Sequence, residues 1–201
     1  MRLLIIGAGP GGYETAVEAA KRGMEVTLIT EGPLGGTCLN EGCIPTKTFC
    51  HYAELIEQNI KAGLDCKPSF AAAAERKQVV IEQLRGGIDM LLKNVEVVHG
   101  KAQFKDPKTV VCNGQEYTAD KIIIATGSVS ASLPVPGTEN CITSKEILEL
   151  TEVPESLCVI GGGVIGLEFA SIFRSFGTEV TVLEFCPNIL PRFDSDLAKR
   201  L

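Results

Sequence analysis

The sequence has no run of basic residues, and its formal net charge is −6. Phosphate backbones are bound by clustered Lys and Arg, so nucleic acid is not expected as a partner. No apolar stretch approaches the ~20 residues that span a bilayer, so no membrane partner is expected either. No targeting leader is expected either. Met1 and Arg2 run straight into Leu3-Leu4-Ile5-Ile6, and the Gly7-Ala8-Gly9 that follows reads as a turn, not a cleavage site. A cytoplasmic protein is the expectation. There are two histidines, His51 and His99, and no second Cys or His pair at metal-ligand spacing, so no metal site is expected. His51 is expected on a helix surface.

The apolar fraction, 45%, is ample for a packed core. Of the eight cysteines, Cys50, Cys66, Cys112, Cys141, Cys158 and Cys186 are scattered, several in apolar strand patterns. Their expected role is that of a small buried hydrophobe. Only Cys38 and Cys43 stand close together in glycine-rich company.

An internal repeat organises the chain. Ile5 to Thr30 aligns without a gap on Val159 to Glu184, an offset of 154. Ala16 falls on Ala170, Gly23 on Gly177, and Glu25-Val26-Thr27 on Glu179-Val180-Thr181. Each copy reads as strand, glycine-rich turn, helix and strand. Leu3 to Ile6 and Leu157 to Ile160 are continuous apolar runs, the pattern of parallel strands buried on both faces. Gly11 to Arg22 and Val164 to Phe176 are helical, with Gly23 and Gly177 where a left-handed residue closes a helix. Val26 to Ile29 and Val180 to Leu183 are the second strands.

Gly7, Gly9 and Gly12 therefore sit between a strand and a helix, as do Gly161, Gly163 and Gly166. That is the context in which such glycines bind a dinucleotide. One makes the turn, one admits a pyrophosphate to the backbone, and one lets helix pack on strand. Gly11 lies in the same turn, and the helix N-terminus offers N–H groups to phosphate. Two such units imply two dinucleotides, FAD and a nicotinamide nucleotide. Glu184 ends the second strand of the second unit, the place of the acidic residue that holds a ribose. No Arg follows in Phe185-Cys186-Pro187-Asn188 to receive a 2′-phosphate, which favours NAD. In the first unit Thr30 holds that position, and Glu31, one residue later, is the expected ribose ligand.

Lys121 to Ile124 reads as another buried strand, ending in the small-residue turn Ala125-Thr126-Gly127-Ser128, which permits close approach to a ligand. Val95 to Tyr117 alternates in polarity, with turn signals at Asp106-Pro107 and Asn113-Gly114, and predicts a small antiparallel meander. Phe70 to Leu92 predicts a long helix, and Glu41 to Ala62 another, interrupted near Pro45. The fold class is α/β: a Rossmann-like, three-layer FAD/NAD(P)-binding fold with two βαβ units and a meander.

The stretch Gly35-Gly36-Thr37-Cys38-Leu39-Asn40-Glu41-Gly42-Cys43-Ile44-Pro45-Thr46-Lys47 carries the chemistry. On a regular helix two cysteines five apart have Cα atoms ~7.5 Å apart, beyond disulfide reach. If they bond, the helix is distorted there, and Gly42 and Pro45 supply the means. A bridge under such constraint suits cycling between disulfide and dithiol.

This motif resembles the active-site signature of the FAD-dependent disulfide reductases. Gly-Gly-Thr-Cys-Leu-Asn followed by Gly-Cys-Ile-Pro is most similar to that of the dihydrolipoamide dehydrogenases, with Thr46 where that group usually has Ser. The resemblance implies that Cys43 is the thiol nearer the flavin, Cys38 the interchange thiol, and Lys47 a neighbour of the flavin. Glu168, in the first turn of the second unit's helix, is implied to pair with Lys47, a buried lysine that needs a partner. Gly36 and Thr37 join the FAD-binding set. The implied reaction passes electrons between NAD(H), FAD, the Cys38–Cys43 pair and a dithiol, most simply dihydrolipoamide. A mercuric reductase or other relative, or a nucleotide-binding piece without turnover, are the alternatives. The implied organisation is an FAD-binding part over residues 1–150 and the start of an NAD-binding domain over 151–201. The family's homodimer uses a C-terminal domain that also carries the acid/base residues. The chain stops at Leu201, short of the βαβαβ of a nucleotide-binding half, and is expected to be part of a longer enzyme.

Overall fold

In the computed structural model, residues 1–65, 68–131 and 133–201 are described; Cys66 lies outside them. The chain divides into two compact units, Met1–Ile44 with Val79–Leu133, and Pro45–Gln78 with Pro134–Leu201.

The first unit is built on the apolar run that opens the chain. Strand β1 (Arg2–Ile6) is followed by helix α1 (Pro10–Lys21) and strand β2 (Glu25–Thr30). Helix α2 (Gly36–Glu41) leads to α3 (Cys43–Lys61) and α4 (Phe70–Leu91), then to strands β3 (Glu96–His99), β4 (Gln103–Asp106), β5 (Thr109–Cys112), β6 (Gln115–Thr118) and β7 (Lys121–Ile124). A four-stranded parallel sheet forms in the order β3-β2-β1-β7.

Side chains alternate across a strand, and β1 uses both faces. Leu3 and Ile5 pack with Ala16 and Ala19 of α1 and with Ile81 and Ile88 of α4. Leu4 faces the other way, with Ile29, Val110 and Cys112 under the antiparallel sheet β4-β5-β6. Helices, parallel sheet and meander are the three expected layers. Asn113 (φ 52°) and Gly114 (φ 79°) make the β5–β6 turn, since both central residues of such a hairpin need positive φ.

Two expectations for this part need correction. Val95 to Tyr117 is not one meander, because β3 pairs in parallel with β2, Thr27 opposite Glu96. Its alternating pattern suits either sheet, and the free edge of β2 decides. The helices break at Gly42 (φ −149°, ψ −110°) and not at Pro45. Pro45 is the third residue of α3, where the N–H it lacks would have had no partner.

The second unit repeats the strand–turn–helix–strand plan with β8 (Ser156–Ile160), α5 (Val164–Phe176) and β9 (Glu179–Leu183); a short α6 (Ser195–Ala198) follows. Registers agree at the same offset, Leu3 opposite Val26 and Leu157 opposite Val180. Its core is aromatic. Phe70 stacks on Phe49 at 4.9 Å and lies 5.5 Å from Phe173 and 5.1 Å from Phe176. Ile147, Leu148 and Phe169 close the cluster.

The expectation that β8 is buried on both faces fails. Only β9 pairs with it among the described residues, and Cys158 and Ile160 are exposed. Cys141 is exposed as well, so of the scattered cysteines Cys112 alone is fully buried among those described. His51 is exposed on α3, as expected. No helix is long and apolar enough to cross a membrane among the described residues.

Candidate active site

The first glycine turn is shaped by backbone contacts. Gly7 has φ 106°, and its N–H donates to Ile29 O at 2.8 Å. A Cβ there would stand 2.2 Å from Ala125 O, and the Ala125 N–H in turn donates to Ile6 O at 2.8 Å. The β1–α1 turn and the Ala125-Thr126-Gly127 turn after β7 are thus in contact. A third segment joins them. Gly35 N–H donates to Ala8 O at 2.9 Å, and a Cβ at Gly36 would meet Gly9 Cα at 2.6 Å. Gly12 packs on Gly7 O, so closely that a Cβ would overlap it.

Gly9 precedes α1 with no side-chain cap, and Pro10 opens the helix. A Cβ at Gly11 would meet nothing within 4 Å, so the chain's own packing does not require glycine there. A cradle of bare backbone at an uncapped helix N-terminus has the donor chemistry a pyrophosphate takes, and these residues fit FAD. Thr30 is buried and its hydroxyl donates to Gly32 O at 3.0 Å, whereas Glu31, Thr37, Thr126 and Gly127 are exposed. Glu31 is thereby the freer of the two ribose candidates.

The redox segment starts from this cradle. Gly36 is the first residue of α2 and Cys38 the third; the break at Gly42 places Cys43 at the first position of α3. Cys38 and Cys43 form a near-disulfide pair, with Cys38 half-buried and Cys43 exposed. The distortion required by their spacing is therefore present. Half-buried Tyr13 also senses Cys38. Burial is the main cause that raises its phenol above the ordinary value, followed by Glu14 and then the Cys38 charge.

Asn40 was not singled out by sequence, yet it ties this turn together. It is buried, and its amide nitrogen donates to Leu34 O at 3.0 Å and Gly36 O at 2.8 Å. Its oxygen accepts from the Arg85 guanidinium at 2.5 Å, 45 residues away. Neither the short helix around it, which ends where the expected helix was to begin, nor the distant partner was signalled locally.

In the second unit, the Gly161 N–H donates to Leu183 O at 2.8 Å, repeating the Gly7 bond. Gly163 precedes α5 without a side-chain cap, and Gly166 packs on Gly161 O as Gly12 does on Gly7. Glu184 reaches back into this turn. Its carboxylate accepts from Cys186 N–H at 2.7 Å and Gly162 N–H at 2.6 Å. Those two bonds, Cys186 first, hold the Glu184 carboxyl below the usual glutamate range.

Lys47 and Glu168 are an ion pair at 3.7 Å, both within the second unit. Two details differ from expectation. Lys47 is not buried, with 71% of its side chain exposed. Glu168 is the fifth residue of α5, past its first turn. Cys50, one turn further along α3, feels both groups. Burial raises its thiol most, Glu168 adds to this, and Lys47 opposes. Among the described residues, no group of His, Cys, Asp or Glu could hold a metal ion.

The whole chain, residues 1–201, matches the family described as pyridine nucleotide-disulphide oxidoreductase. It is 39% identical to a dihydrolipoyl dehydrogenase of Acholeplasma laidlawii, over 97% of this chain and 62% of the relative. It is 40% identical to a dihydrolipoyl dehydrogenase of Bacillus subtilis, over 99% and 47%. The HOCl-induced flavoprotein disulfide reductase RclA from Escherichia coli superposes with a TM-score of 0.88 at 38% identity, over 99% of this chain and 45% of that one. The chain spans about half the length of the relatives it matches.

Proposed function

This chain belongs to the pyridine nucleotide-disulphide oxidoreductase family, and from that premise we propose that the protein moves electron pairs between a dithiol and NAD through FAD and the Cys38–Cys43 pair. One observation carries this reading. The near-disulfide pair begins two residues from Gly36, whose backbone packs on the β1–α1 turn, so redox thiols and dinucleotide cradle are one construction. Dihydrolipoamide is the proposed dithiol, in keeping with the names of the relatives.

In this reading Gly7, Gly9, Gly11, Gly12, Glu31, Gly36, Thr37, Ala125, Thr126 and Gly127 hold FAD, all in the first unit. Gly161, Gly163, Gly166 and Glu184 hold NAD in the second; the proposed FAD part over 1–150 and NAD part from 151 differ from the compact units, which place 45–78 and 134–150 with the second. FAD, when bound, supplies the two-electron link between the thiols and the nicotinamide.

The chain's own step is an exchange of sulfur bonds. One substrate thiolate attacks Cys38 Sγ, the Cys38–Cys43 bond breaks, and Cys43 leaves as thiolate. The second substrate thiol then attacks its own partner sulfur and releases Cys38. The substrate ends as a disulfide, the cysteines as a dithiol, with two electrons transferred. Cys43 leaves from the first position of α3, the helix that also carries the Lys47 ammonium. Glu168 restrains that ammonium. A cytoplasmic homodimer is part of the proposal.

The test is Cys43→Ser in the full-length protein. NADH-dependent reduction of lipoamide should fall to background, while NADH oxidation by an artificial flavin-directed acceptor persists. Retained lipoamide turnover would remove the pair from the reaction.

A further inference from the structure

The clasp beneath the redox helix has a feature its structural role does not need. Asn40 Nδ2 faces the carbonyls of Leu34 and Gly36, which fixes its oxygen toward Arg85. A neutral donor would satisfy that oxygen. Instead the group is a half-buried guanidinium that, among the described residues, pairs with no carboxylate, and its Nε is buried with no partner among them. Keeping an uncompensated cation here is unfavourable, and it sits one side chain from the six-residue helix that carries Cys38.

We propose that Arg85 is a positioning residue of the redox centre, its charge favouring the reduced, thiolate-bearing state of the Cys38–Cys43 pair while its bond to Asn40 holds the α2 turn. The inference rests on the redox reading given above. Two residues of helix and one side chain separate the guanidinium from Cys38, on the order of 10 Å. At an effective dielectric of about 20, a unit charge at that distance shifts an equilibrium by roughly tenfold. Lost charge should leave the pair harder to reduce; lost hydrogen bonding alone should not.

Two substitutions in the full-length, cofactor-loaded protein separate these contributions. Arg85→Gln keeps an N–H donor and removes the charge; Arg85→Lys keeps the charge. The readout is the equilibrium constant of the cysteine pair against a reference dithiol, measured by alkylating free thiols in a redox titration. Arg85→Gln should favour the disulfide by about tenfold, a shift of about 30 mV for a two-electron couple. Arg85→Lys should stay within about twofold of the unaltered protein, even where its melting temperature falls. If both variants lose thermal stability and neither moves the equilibrium, Arg85 is only a strut and the proposal fails. If the unaltered protein shows no two-thiol couple, the redox reading itself fails. Should Arg85→Gln not fold, Arg85→Met takes its place with the same outcomes.

Discussion

At Gly36 the backbone holds φ 57°, and Gly9 Cα lies 2.6 Å from where a Cβ would stand. Neither chain segment can yield without opening the cradle, because Gly35 is tied to Ala8 O at 2.9 Å in the same place. Gly36→Ala should therefore cost at least about 1 kcal/mol in denaturant unfolding and purify with less FAD. Unchanged stability and flavin content would mean that the turn adapts. This position was legible from its company, Gly-Gly-Thr-Cys. Arg85 was not, since nothing local distinguishes a helical arginine whose partner lies 45 residues earlier.

Among the elements, the long helices do work that periodicity alone does not disclose. Lys77 of α4 is 4% exposed, its ammonium donating to Leu148 O and lying 3.4 Å from Glu149. The same ammonium stands 5.9 Å from the centre of the Phe49 ring. It fastens α4 to the 3-10 turn Glu146–Glu149. Lys77→Met preserves the stem and strips the donor, leaving a buried carbonyl unpaired, so a loss of about 1–3 kcal/mol is expected from unfolding curves. The helix itself was predicted within a residue, although Gly86 and Gly87 lie inside it. Its buried lysine looked like any solvated charge. β3 shows the converse: Glu96-Val97-Val98-His99 has clear strand character, but which sheet it joins depends on the unfilled edge of β2.

Over the whole molecule, the doubled unit was the most legible feature, because two glycine turns in register constrain both sequence and backbone. The matching Gly7–Ile29 and Gly161–Leu183 bonds show the same turn built twice. What differs is the acidic residue. Glu184 is bound to two backbone amides, while Glu31 is exposed. A carboxyl with a lowered folded-state pKa stabilises above its unfolded value, near 4.5, and loses that contribution as pH falls through the folded value. Acidification below about 4.5 should loosen the second turn, and Glu184→Gln should blunt that dependence. In the full-length protein at neutral pH the same change should raise the KM for NADH without lowering FAD content. A parallel fall in flavin would contradict the assignment of the two nucleotides to separate units.

The strand order carries a consequence for synthesis. β1 is made before both of its neighbours, β2 and β7. β2 follows promptly, but β7 begins only at Lys121. At 5–20 residues per second, the opposite edge of β1 waits on the order of 6–24 s on the ribosome. Ala125, which closes on Gly7, arrives last. During that interval an apolar strand edge stands open while the cysteine-bearing helices have already emerged. The proposed flavin cradle is thus completed after Cys38 and Cys43, and a nascent chain passes through a stage with both cysteines present and no closed cradle beside them.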